Sequence, residues 1–129
     1  MATVALTKDT FNETIADNDT VIIDFWADWC PPCKAFAPTF EKASEEHEDI
    51  VFAKVDTEDQ QELAGAFGIR SIPTLMVFRD QILLYNNAGA LPPAVFTDLI
   101  DQIKGLDMDD VRRQVAEQSN EVEAEVVEG

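Results

Sequence analysis

Apolar residues in this chain gather in short β-branched and aromatic runs, separated by segments where they recur every three or four positions. That alternation is the pattern of strands interleaved with amphipathic helices. Thr3 to Leu6 reads as a short strand, and Thr7 is placed to cap a helix reaching about Asp17, with Phe11 and Ile15 on one face. Asn18-Asp19 breaks it. Thr20 to Trp26 is β-branched and aromatic almost throughout, as suits a strand buried on both faces at the centre of a sheet. A helix follows, with Pro32 in its first turn and an apolar stripe of Ala35, Phe36, Phe40 and Ala43 leading to a charged end around Glu45 to Asp49. Pro38 lies inside that helix, where it removes the bond to the Lys34 carbonyl and predicts a kink.

Ile50 to Val55 is the next predicted strand and Gln60 to Phe67 the next helix, with Gly68 as its C-terminal cap. Together they complete a βαβ crossover. Thr74 to Phe78 and Ile82 to Tyr85 are strands joined through Arg79-Asp80-Gln81, a link so short that they form an antiparallel hairpin, so the sheet is mixed. Gly89 ends the hairpin. Pro93 to Lys104 is a last core helix, with Val95, Phe96, Leu99, Ile100 and Ile103 at helical spacing. Residues 1–105 are thus expected to form one domain. Residues 106–118 are expected to form a short amphipathic helix, capped by Asp107 and seamed by Met108, Val111 and Val115, and 119–129 a flexible acidic tail.

Charge narrows the partners. With 26 acidic and 9 basic residues among 129, the chain carries a formal charge of −17, which repels nucleic acid and anionic membrane surfaces. The apolar run Val21 to Trp26 is interrupted by Asp24 and is too short for a membrane span or a secretory signal, so the expected location is cytoplasmic.

The chain's two cysteines stand three apart in Trp29-Cys30-Pro31-Pro32-Cys33-Lys34, between a predicted strand and a helix. The bridge open to them within the chain is Cys30 to Cys33, and so small a loop serves redox chemistry rather than stability. Cys30, just ahead of the helix, meets the positive end of the helix dipole and reads as the exposed nucleophile; Cys33, about a turn inside, reads as the sheltered resolving thiol. The competing reading is half of a zinc or iron-sulfur site. Closed structural zinc sites use about four protein ligands, and beyond the thiols the chain offers one histidine, His47, at the far end of the helix, so no metal is expected. Asp24 puts an ionisable group inside a central strand, where burial raises its pKa and equips it to take the Cys33 proton; a purely structural carboxylate is the alternative. Lys54, in the neighbouring strand, is its candidate partner or a snorkelling lysine. Ile72-Pro73 precedes a strand, and a cis bond there would expose the Ile72 backbone to an extended substrate; otherwise Pro73 is a strand-entry proline. Trp29 is placed to cover the disulfide and contact a partner. Gly89 fits either a bend for close backbone approach or a simple strand end.

These segments, with Asp24-Phe25-Trp26-Ala27, Ala37-Pro38, Lys54-Val55-Asp56, Gly68-Ile69-Arg70, Ile72-Pro73-Thr74 and Ala88-Gly89-Ala90, occur in the order and spacing of the thioredoxin family, which residues 3 to 105 resemble. The resemblance implies an α/β thioredoxin fold, a central mixed β-sheet flanked by α-helices on both faces, with a cis peptide at Pro73. It also implies a protein-disulfide reductase, with no bound cofactor, recharged by a flavoprotein thioredoxin reductase using NADPH. Cys30 would be the nucleophile, Cys33 the resolving thiol and Asp24 the acid/base assisted by Lys54. Trp29, Pro31, Pro32, Ile72, Pro73 and Gly89 would form the substrate-facing rim.

Three positions depart from the family pattern. Pro31 stands where glycine is usual, Ser71 where glycine is common, and the chain runs past the usual end from about Leu106. The expected partners are thioredoxin reductase and disulfide-containing client proteins, met by a monomer. The alternatives are a disulfide oxidase or isomerase, and a binding scaffold whose dithiol is incidental.

Overall fold

The computed structural model describes the backbone of residues 2–128 and the side chains of residues 2–118. The chain divides into two compact units, Met1–Phe96 and Thr97–Gly129.

The first unit is built on a five-stranded sheet of order β1-β3-β2-β4-β5, comprising β1 (Val4–Ala5), β2 (Thr20–Trp26), β3 (Val51–Asp56), β4 (Thr74–Arg79) and β5 (Ile82–Ala88). β1 and β2 run parallel to β3, while β4 runs antiparallel to both β2 and β5. The mixed sheet predicted from the sequence is therefore present, with β2 at its centre.

Because side chains alternate across a strand, Val21, Ile23 and Phe25 face one way and Ile22, Asp24 and Trp26 the other. The first set joins Ala53, Val55 and Met76 beneath Phe11 and Ile15 of α1 (Phe11–Asp17) and Leu63 of α3 (Gln61–Ala66) in one buried cluster. The second face is covered by α2 (Pro31–Glu46), where Phe36, Phe40, Phe52 and Phe96 pack with ring centroids 5.3 to 6.4 Å apart. Offset and edge-to-face rings at this range add to the stabilisation from buried area alone. Helices thus cover both faces, as expected.

Several boundaries differ from the sequence reading. Thr7 does not cap α1: residues 8–10 form a turn, Thr10 occupies the cap position, and Thr7 exchanges bonds with Thr10. The hairpin link is two residues rather than three, since Arg79 pairs with Ile82 and only Asp80 and Gln81 turn, with φ of 52° and 66°. Left-handed values at both positions give a turn whose twist matches the flanking strands. β5 continues beyond Tyr85 to Ala88, because its ladder with β4 extends to Thr74↔Ala88. Gly68 at φ 63° closes α3 as predicted, and Gly89 at φ 114° occupies backbone that a side chain rarely tolerates.

In the second unit, α4 (Pro93–Lys104, beginning in the first unit) buries Ile100 and Ile103, and α5 (Met108–Glu128) buries Met108. Val95, expected in the core, is 49% exposed. The Asp107 carboxylate accepts from the Asp109 and Asp110 amides at 3.0 and 3.3 Å, the predicted cap. The helix nevertheless continues past Gln118, where the sequence reading begins a tail. No glycine or proline interrupts 108–128, and Asp109–Arg112 and Asp110–Arg113 pairs reinforce the first turns.

Candidate active site

The end of β2 delivers the chain into Ala27 and then the start of α2, and this placement builds the site. Cys30 is the N-cap of α2, its amide bonded to the Ala27 carbonyl at 3.2 Å and its carbonyl accepting from Lys34 N at 3.1 Å. Pro31 and Pro32 fill the first two helical positions and contribute no N–H. The first free amide is therefore that of Cys33, which donates to Cys30 Sγ at 3.2 Å. Cys30 and Cys33 are joined as a disulfide, with Cα atoms 5.3 Å apart.

Both cysteines are almost fully covered, at 2% and 3% exposure, so the expectation of an exposed Cys30 is corrected. Ala27, the half-buried Trp26 and Ile72 enclose the pair. The two sulfurs still differ in surroundings. Cys30 Sγ lies 3.7 Å from the Ile72 carbonyl oxygen and receives the helix-start amide, while Cys33 sits in the first turn. Among the described residues no group of His, Cys, Asp or Glu has the arrangement of a metal site.

The Ile72–Pro73 peptide is cis. Pro73 itself is buried and its carbonyl accepts from the Gly89 amide at 2.8 Å, so the β4 entry and the β5 exit are tied together beside the disulfide. Gly89, Pro31, Pro32 and Trp29 are exposed, and Ile72 is half-buried. Pro31, Pro32 and Trp29 flank the cysteines in sequence, Ile72 packs against them, and Gly89 is joined to Pro73.

Trp29 is 65% exposed, yet its indole N–H donates to Glu58 Oε1 at 2.6 Å. Glu58 was not singled out from the sequence. It is delivered by the loop after β3, which is stapled to the end of β2: Thr57 N and Oγ1 both donate to the Trp26 carbonyl, and Asp56 Oδ1 accepts from the Glu58 amide. The sequence signal for it is an acidic residue following Asp56, which is too common to single out.

Asp24 is fully buried at the middle of β2, and neither carboxyl oxygen has a hydrogen-bond partner. Burial pushes its pKa up to about 7, against the opposing pull of the Lys54 ammonium. Lys54 is the register partner of Asp24 on β3, and its Nζ lies over the Trp26 ring, 4.8 Å from the centroid.

A disulfide between two cysteines three apart at a helix start, beside the Ile72 carbonyl and on the sheet face that carries a buried titratable carboxyl, defines a thiol–disulfide oxidoreductase. Comparison with known proteins agrees. The thioredoxin family profile matches residues 2–102, and the chain belongs to that family. It is 59% identical over 117 residues to a Streptomyces coelicolor protein provisionally assigned as thioredoxin 2, covering 91% of this chain and 87% of that one. It is 41% identical over 90 residues to the thioredoxin of Mycoplasma pneumoniae, covering 70% and 88%. Among solved structures, a mutant thioredoxin from Halobacterium salinarum superposes with a TM-score of 0.74 at 33% identity, covering 81% of this chain and 92% of that one. The Plasmodium falciparum thioredoxin gives 0.71 at 32% identity, covering 78% and 97%. Cys30–Cys33 is accordingly a redox-active disulfide that carries electrons. No helix among the described residues is long and apolar enough to cross a membrane.

Proposed function

We propose that the protein is a general protein-disulfide reductase, recharged by thioredoxin reductase and acting as a monomer in the cytoplasm. The observation that carries this reading is a two-cysteine disulfide at the start of α2 beside the Ile72 backbone, above a carboxyl with a pKa near neutrality. In the reduced state the Cys30 thiolate attacks one sulfur of a client disulfide. The client S–S bond breaks, a mixed disulfide forms, and one client thiolate leaves and takes a proton from water. Cys33 then passes its proton to the Asp24 carboxylate and attacks Cys30 Sγ, which re-forms the Cys30–Cys33 bond and releases the second client thiolate. Two electrons move to the client. The reductase returns them from NADPH through its flavin.

The rim supplies recognition. An extended client segment pairs with the Ile72 backbone, Gly89 admits its close approach, and Trp29, Pro31 and Pro32 offer apolar contact around the sulfur. A charge of −17 turns away nucleic acid and anionic membranes, which leaves proteins as partners.

Insulin reduction coupled to thioredoxin reductase and NADPH tests the function: turnover that requires both cysteines is expected, and an absence of NADPH oxidation contradicts it. The division of labour has its own readout. Cys33→Ser accumulates mixed disulfides with clients through Cys30, whereas Cys30→Ser accumulates almost none; equal trapping by both variants refutes the assignment.

A further inference from the structure

Trp26 occupies a singular position on the Asp24 face of the sheet. It stands two residues beyond Asp24 on β2, so both side chains project to the face that Lys54 shares through its register with Asp24. Its indole nitrogen is buried and bonds nothing, so no hydrogen bond sets the ring's orientation. What the ring does touch is informative. One side packs against the cluster of Ala27, Cys30 and Cys33, and the Lys54 ammonium lies over its face at 4.8 Å, inside the range of about 6 Å over which a cation is held by an aromatic quadrupole.

The ammonium has a competing destination. Asp24 is directly across the ladder, yet both of its oxygens are without a hydrogen-bond partner. Lys54 is the charge that acts on that carboxyl among the described residues: β3 also presents Phe52 and Asp56, the latter engaged by the Glu58 and Asp59 amides, β4 presents Leu75, β2 presents Ile22 and Trp26, and α2 buries Cys33, Phe36, Phe40, Ala43 and Ser44. We propose that Trp26 is a positioning residue for Lys54, its ring holding the ammonium close enough to act on Asp24 through space and away from direct bonding to it. This rests on the acid/base reading of Asp24. A carboxylate clasped by an ammonium stays ionised and returns protons poorly, whereas one in an apolar site with no cation stays protonated and accepts them poorly. An ammonium parked on an indole keeps Asp24 between these limits, and places that control on the same ring that walls the disulfide.

The test is a site-resolved titration of the Asp24 carboxyl by carbon-13 NMR on the full chain in its disulfide form, where neither cysteine titrates. Wild type, Trp26→Phe and Trp26→Leu are compared, each with Lys54 and with Lys54→Met. With Lys54 present, Trp26→Leu frees the ammonium to close on the carboxylate and lowers the midpoint by about one pH unit. Trp26→Phe, which keeps a ring and the fold, lowers it less. In the Lys54→Met background both differences vanish. A shift of equal size in the two backgrounds would show that the ring merely excludes water and would overturn the proposal, as would a midpoint that stays or rises in Trp26→Leu. This readout does not involve turnover, so its failure is separable from that of the acid/base role, which the kinetics of Asp24→Asn test.

Discussion

Pro31 withholds a backbone N–H at the start of the helix, next to the Cys30 sulfur. With Pro31 and Pro32 in the first two positions, the amide of Cys33 is the first that reaches Cys30 Sγ. Pro31→Gly restores one N–H, which stabilises the thiolate, lowers the Cys30 pKa and makes the couple more oxidising. The expected shift is at most about 30 mV, equivalent to one pKa unit. Equilibration with glutathione measures it, and a shift to a more negative potential would show that ring geometry outweighs the missing donor.

Asp24 links the same chemistry to stability. Its folded pKa, about 7, lies above the ordinary 3.8, so between these values the folded state holds a proton that the unfolded state releases. That contribution is present in acid, is lost as pH rises toward 7, and is constant above it. Asp24→Asn removes the dependence and stabilises the protein above neutrality by roughly 4 kcal/mol at most, because an amide is cheaper to bury than a carboxylate. Urea unfolding at pH 5 and pH 8 checks this: the variant's advantage should appear at the higher pH, and parallel pH dependence in both proteins would contradict it.

At the scale of elements, what the sequence made legible was set by local pattern. β2, β3, α2 and α4 emerge where expected, and the Cys-x-x-Cys motif marked the position of the Cys30–Cys33 disulfide. The misses at β5 and around Cys30 come from pairing that local preference does not encode. Asn86 and Asn87 are poor strand formers, yet their ladder with Met76 and Leu75 carries β5 to Ala88. Burial of Cys30 depends on Ile72 arriving from a distant segment to join the neighbouring Trp26 and Ala27, and the Glu58 bond to Trp29 on a loop 29 residues away. α5 is longer than its narrow seam suggested, because helix propensity and i,i+3 ion pairs sustain it. Residues 107–129 contain eight acidic residues and two arginines, and the described residues around the disulfide all lie outside this segment. Truncation after Gly105 is therefore expected to leave insulin reduction near that of the full chain, with a modest fall in melting temperature. A collapse of turnover with thioredoxin reductase would instead make α5 a docking element.

For the whole molecule, the fold places the Cys30–Cys33 disulfide at a helix start, beside the Ile72 carbonyl and on the sheet face that carries the buried Asp24 carboxyl; in the proposed function these favour a thiolate, receive a client and manage the second proton. None of these alone fixes the direction of electron flow. The same dithiol reduces clients if its thiolate is only moderately stabilised and oxidises them if the reduced form is strongly favoured. Two prolines that remove donors from the helix start weaken thiolate stabilisation and so favour the reducing direction. The equilibrium potential of the Cys30–Cys33 couple against glutathione tests that claim most directly. A value more negative than about −220 mV is the prediction, and one near or above the roughly −180 mV of disulfide isomerases would contradict it.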